Sequence, residues 1–183
     1  MPYGLENIDQ IKQARALKRR IKQLIQEELE HGMDPWWFIS FHYNDGKINE
    51  NQVIKDMADL KNKLKREIYR RRDREIKGKG SFPYPKMLVM NEVSHLGTGQ
   101  FHSHLIAEAF PGKLNSQRMM ELLFKRILPS KVKALSRWKS IDVQRIHQDP
   151  KDLRRLGSYL GKQVDLDYVA LDGFNSDFSK EER

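Results

Sequence analysis

Phe101-His102-Ser103-His104-Leu105-Ile106-Ala107 is the stretch whose reading decides the fold. It is apolar and partly β-branched, as a strand requires, and side chains on a strand alternate between faces. His102 and His104 therefore leave one face with Cα atoms about 6.5–7 Å apart, a separation that one metal ion can bridge. Met87 to Val93 is a second apolar run, and Ser94-His95-Leu96-Gly97-Thr98-Gly99-Gln100 joins the two. That arrangement predicts a β-hairpin with a glycine-rich connection. In such a hairpin Glu92 lies almost opposite His102 or His104, whereas His95 sits near the turn and is less well placed. Two imidazoles and a carboxylate with open positions suit a divalent ion such as Mg²⁺ or Mn²⁺ that can hold phosphate oxygens.

Outward from the hairpin, the periodicity changes. Trp36-Trp37-Phe38-Ile39-Ser40-Phe41-His42-Tyr43 predicts a buried strand ending at Asn44-Asp45-Gly46. His42 shares a face with Trp36 and Phe38 and is assigned to packing or DNA contact rather than to metal. Leu5, Ile8, Ile11, Ala14, Leu17, Ile21 and Leu24 form the apolar stripe of a helix stopped by Gly32 and Pro35. Val53, Met57, Leu60, Leu64 and Ile68 mark a second helix. Ser116 to Leu128 is a third, Trp138 to His147 a further strand, and Asp149-Pro150 opens a last helix through Gln163. Strands mixed with helices, two of the strands joined as a hairpin, predict an α+β fold with a central antiparallel sheet and flanking helices.

Composition removes several chemistries. The 183 residues contain no cysteine, which excludes disulfides, thiolate metal sites and a cysteine nucleophile. No uncharged apolar run approaches the ~20 residues of a membrane span, and the charged N-terminus is not a secretory signal. A cytoplasmic protein without membrane contact is expected. The net charge of +9 suits a polyanionic partner. Lys55 to Lys79 holds eleven basic and five acidic residues, and Lys113 to Lys139 eight basic and one acidic. Two basic blocks around a less charged middle fit a surface that follows a phosphate backbone. Arg70, Arg71, Arg72, Arg74, Lys131, Lys133 and Arg137 are the candidates for phosphates, with Trp138 or the Trp36-Trp37 pair for base stacking. Val164 to Arg183 is acidic.

Near the C-terminal end, Gly157-Ser158-Tyr159-Leu160-Gly161-Lys162 puts Tyr159 and Lys162 on one helix face. Tyrosine can act as a covalent nucleophile, and a neighbouring lysine can neutralise phosphate. The order of these features resembles the HUH endonucleases, and more narrowly the single-tyrosine replication-initiator (Rep) class of rolling-circle plasmids and single-stranded DNA viruses. Phe38-Ile39-Ser40-Phe41 matches the aromatic first motif loosely. His102, His104 and Glu92 match the second motif, and Tyr159 and Lys162 the third. The resemblance covers Trp36 to Gln163. It implies an N-terminal helix (1–35) appended to a catalytic domain (36–163) and followed by an acidic tail (164–183). The long N-terminal helix, and a sequence that ends without a helicase domain, depart from the family; a compact initiator and an excised piece of one both fit.

The resemblance implies metal-assisted transesterification of single-stranded DNA at an origin, presented as a hairpin, in a host cell carrying the plasmid or virus. His102, His104 and Glu92 would hold Mn²⁺ or Mg²⁺, Tyr159 would attack to leave a 5′-phosphotyrosine, and Lys162 would stabilise the charge. With one tyrosine, either the free 3′-OH or a second protomer performs the closing exchange, and the N-terminal helix is a candidate dimer contact. Two other readings compete. One is a non-catalytic module that binds single-stranded nucleic acid. The other is a cupin-like metalloenzyme, in which Glu108 would join His102 and His104.

Overall fold

The computed structural model describes residues 5–44, 48–75, 84–93, 101–110, 112–128, 137–165, 169–171 and 176–177. Helix α1 (Leu5–Glu27) continues through a π-helical turn (Glu28–Gly32) into strand β1 (Pro35–Tyr43). Helix α2 (Glu50–Glu75), strands β2 (Met87–Val93) and β3 (Phe101–Glu108), and helix α3 (Gln117–Leu122) follow. Strand β4 (Trp138–Arg145), helix α4 (Pro150–Asp165) and strand β5 (Val169–Leu171) complete the order. The strands form one sheet in the order β4-β1-β3-β2-β5, and every neighbouring pair is antiparallel. This is the α+β class with a central antiparallel sheet. The connection between β2 and β3 lies outside the described residues.

Alternation sends the odd-numbered residues of β1 to one face and most of the even ones to the other. Trp37, Ile39, Phe41 and Tyr43 are all at most 1% exposed. They pack with Val89, Leu105 and Val143 against α2 and the segment around α3. Helix α2 meets them because Val53, Met57, Leu60 and Leu64 recur at helical spacing and are fully buried. Each such side chain contributes roughly 1.5–3 kcal/mol by leaving water. On the opposite face Leu88, Met90 and Ile106 of the sheet meet Ile25 near the end of α1, Leu29 of the π-helical turn, Met33 just beyond it, and Leu160 of α4. The sheet is thus sandwiched between helices. Only the C-terminal part of α1 takes part; Ile11 and Leu17 of its apolar stripe are 45% and 62% exposed.

Four features differ from the sequence reading. Residues 169–171, assigned to a separate acidic tail, are the fifth strand, pairing with Met90, Asn91 and Glu92 of β2. Asp177 and Ser176 extend this edge: the Met87 amide donates to Asp177 Oδ2 at 3.1 Å and the Val89 amide to Ser176 Oγ at 2.9 Å. Trp36, expected on the face of His42, is the extra residue of a bulge where the register shifts between Pro35 and Trp37. The bulge re-aims its ring, which packs against the α2 side instead.

Trp138, assigned to base stacking, is 7% exposed, with its ring 4.9 Å from that of Phe41. Burial removes it from any contact with a nucleotide. Arg137, assigned to phosphate, is committed to the buried Asp56 of α2. Its Nε donates to Asp56 Oδ2 at 2.8 Å and its Nη2 to Oδ1. Arg137 is itself partly exposed, but removing it leaves the buried Asp56 charge with the Gln52 amide, at 2.8 Å, as its described side-chain partner. Arg137→Ala is therefore expected to lower unfolding stability by about 1–3 kcal/mol, read by urea denaturation. A midpoint unchanged from wild type would show that this pair does not hold α2 to the sheet.

Candidate active site

Register builds the site. On the face that carries α1 and α4, Ser40 of β1 pairs with His104 of β3, and one row along His42 pairs with His102. On the other side of β3, His102 pairs with Glu92 of β2. Both imidazoles share one face, as alternation predicts, and Glu92 stands directly opposite His102. Its carboxylate reaches diagonally to His104, Oε2 lying 3.1 Å from Nε2. The other ring nitrogen of His104, Nδ1, is 3.0 Å from Ser40 Oγ. Phe38 stacks on the same ring at 5.1 Å and 15°. His104 and Glu92 are only 6% and 7% exposed.

His102 is less buried and packs edge to face on His42, ring centroids 4.5 Å apart. Burial holds both rings below the ordinary histidine range; the neighbouring His104 lowers His42 further, and His42 lowers His102. Neutral imidazoles have free lone pairs, the form a cation requires. Beside His42, the β1–β4 register shifts between His42 and Tyr43, which leaves Lys139 as an extra residue. Asp142, across from Ser40, partly offsets the burial of His42 by its negative charge.

The donor chemistry suits a divalent ion. Two ligands at right angles on an ion with ~2.1 Å bonds stand about 3 Å apart, which is the spacing of His104 Nε2 and Glu92 Oε2. Among the described residues, no three His, Asp or Glu side chains already converge on one ion. What is formed is the His104–Glu92 pair, with His102 in the adjoining row.

Helix α4 crosses this same face. The chain leaves β4 where the Ile146 amide donates to the Trp36 carbonyl at 2.9 Å, and it rejoins the sheet as Val169 beside Glu92. α4 thus runs toward the Glu92 end. Leu160 anchors it at 1% exposure. A Cβ on Gly157 would lie 2.1 Å from Gln26 Oε1, and one on Gly161 would lie 3.6 Å from Lys22 Cγ. The two glycines thus seat α4 closely on α1. Tyr159 faces away from this seam and is 46% exposed. No described hydrogen bond or ring contact joins it to the histidines. Lys162 follows one turn later on the helix, its side chain outside the described set.

Of the remaining basic candidates, Lys131 and Lys133 lie outside the described residues. Arg70, Arg71, Arg72 and Arg74 are on the last turns of α2, where side chains are not described. Arg145, which the sequence did not single out, sits with its guanidinium carbon 4.8 Å from the Trp36 ring centroid. These two line a cleft of about 370 Å³ with Ile146, His147 and Gln148. Glu108, the carboxylate of the cupin-like reading, accepts the amides of Asp34 at 3.2 Å and Lys86 at 2.9 Å. That task is structural, and the layered sheet is not a small β-barrel.

Comparison with family models, curated proteins and solved structures gives no match for this chain. Among the described residues, no helix is long and apolar enough to cross a membrane.

The two depressed histidines make stability depend on pH. Below about pH 6.5 the unfolded chain takes up protons on them before the folded chain does, so stability is full above that value and falls as pH drops through the folded pKa values. Urea midpoints are expected to fall between about pH 7 and pH 5, and His42→Gln with His102→Gln to flatten that slope. Equal slopes in the two proteins would remove these rings from the account.

Proposed function

We propose that this protein nicks and rejoins single-stranded DNA by metal-assisted transesterification, as the resemblance to single-tyrosine Rep endonucleases implies. The observation that carries the reading is the buried His104–Glu92 pair, with His102 beside it, on the sheet face crossed by the helix bearing Tyr159. Mn²⁺ or Mg²⁺ held by His102, His104 and Glu92 would supply Lewis-acid polarisation of the scissile phosphate.

The remaining work falls to this chain. His102, paired with Glu92 across β3 and β2, would complete the ligand set. Tyr159, exposed on α4, forms its Oη–phosphorus bond as the bond from phosphorus to the 3′ oxygen breaks. The phenolic proton passes to solvent, and the departing 3′ oxygen takes one up. Lys162 offsets charge on the phosphate. The phosphotyrosine conserves the bond, so the 3′-OH can attack it in return and release the tyrosine. Beyond the centre, the Trp36–Arg145 pair offers a base a flat surface and a cation.

A second reading, a module that binds single strands without cutting them, is favoured by the lack of any described contact between the exposed Tyr159 ring and the histidines. The two readings part on one assay. With Mn²⁺ and a library of single-stranded hairpin oligonucleotides, the nickase forms a protein–DNA adduct that survives denaturation. Tyr159→Phe and His104→Ala are expected to abolish the adduct while retaining oligonucleotide binding. Binding by wild type without any adduct would leave the module reading standing.

The strand contact is checked separately. Trp36 is the half-buried tryptophan, whereas Trp37 and Trp138 are buried, so oligonucleotide binding is expected to quench the Trp36 fluorescence. Loss of one base-stacking platform weakens binding about tenfold, the effect expected for Arg145→Ala in the same titration. Quenching that persists in Trp36→Phe would place the strand elsewhere.

A further inference from the structure

We propose that Ser40 is a positioning residue that lets His104 exchange the proton on Nε2 for a metal ion; this rests on the reading of the site as a metal centre. A neutral imidazole carries one N–H. Facing a carboxylate oxygen at 3.1 Å, that hydrogen belongs on Nε2, where it donates to Glu92. The Nδ1 lone pair then accepts the Ser40 hydroxyl, 3.0 Å away. An ion at Nε2 needs the lone pair there, so the ring hydrogen must reside on Nδ1 instead. Ser40 Oγ now has to accept. The ring gives up one proton to solvent at Nε2 and regains one at Nδ1, and its charge is unchanged.

A hydroxyl serves both states because it donates and accepts. A carbonyl or carboxylate at this position could only accept, and would hold Nδ1 protonated throughout. Alanine would leave Nδ1 facing no partner in a site where Ser40 is 7% exposed and Phe38 covers the ring. Ser40 touches neither ion nor substrate in this scheme. It acts through the imidazole, as partners of metal-bound histidines generally do.

The test uses the full chain without DNA. Free Mn²⁺ is titrated by electron paramagnetic resonance, and the His104 tautomer is read from long-range ¹H–¹⁵N spectra with and without Mg²⁺. Wild type is expected to move from the Nε2–H to the Nδ1–H form as Mg²⁺ is added. Ser40→Ala is expected to bind Mn²⁺ about 10- to 100-fold more weakly, and Ser40→Thr to restore affinity. An unchanged tautomer in wild type, or full Mn²⁺ affinity in Ser40→Ala, overturns the proposal. Should Ser40→Ala not fold, the wild-type tautomer and the Ser40→Thr affinity still decide. Wild type that binds no Mn²⁺ overturns the metal centre itself, whereas Ser40-independent binding overturns only the role of the serine.

Discussion

The antiparallel register of β1, β3 and β2 aligns Ser40 with His104, and His42 with both His102 and Glu92. Because strand side chains alternate, a slip of one residue would send each of these groups into the opposite layer. What prevents the slip is the other face. Trp37, Ile39, Phe41 and Leu105 are wholly buried there, and no neighbouring register keeps them out of water. The hydrophobic layer under α2 and α3 thus fixes the positions of polar groups it never touches.

Charge is divided along the same lines. Part of the positive charge that marks this chain is spent internally. Arg137 is bound to Asp56, and Lys61 reaches Asp177 at 3.0 Å to hold the β5 edge of the sheet. The face with the histidines is instead arranged around neutral rings, with Glu92 and Asp142 as acidic neighbours and Lys139 as a basic one. On the proposed reading, such a surface would meet a polyanion through an added cation rather than through its own side chains.

Much of this was legible in the sequence, for a physical reason. Periods of two and of three to four residues survive in the order of residues, so the helices, the hairpin and the shared face of His102 and His104 could be read directly. Glu92 followed from hairpin closure, because its partner lies ten to twelve residues away. Ser40 and His42 did not follow. Their contacts with β3 span 60 or more residues, and nothing local encodes which row of one strand meets which row of another. Trp138 was misassigned because a tryptophan among basic residues looks the same whether its ring faces solvent or Phe41. The bulge at Trp36 inverts alternation at a single residue, which no periodicity reveals. β5 is three residues long, too short to show any period.

The seam between α1 and α4 carries a last consequence. Gly157 and Gly161 contribute no side chains of their own, so the spacing between the helices is dictated from the α1 side, by Gln26 and Lys22. Those two residues lie more than 130 positions upstream of Tyr159, yet they act as the shim against the helix that carries it. Changing the separation of the two helices therefore requires no change to α4: lengthening or shortening either upstream side chain alters the bearing on which it rests.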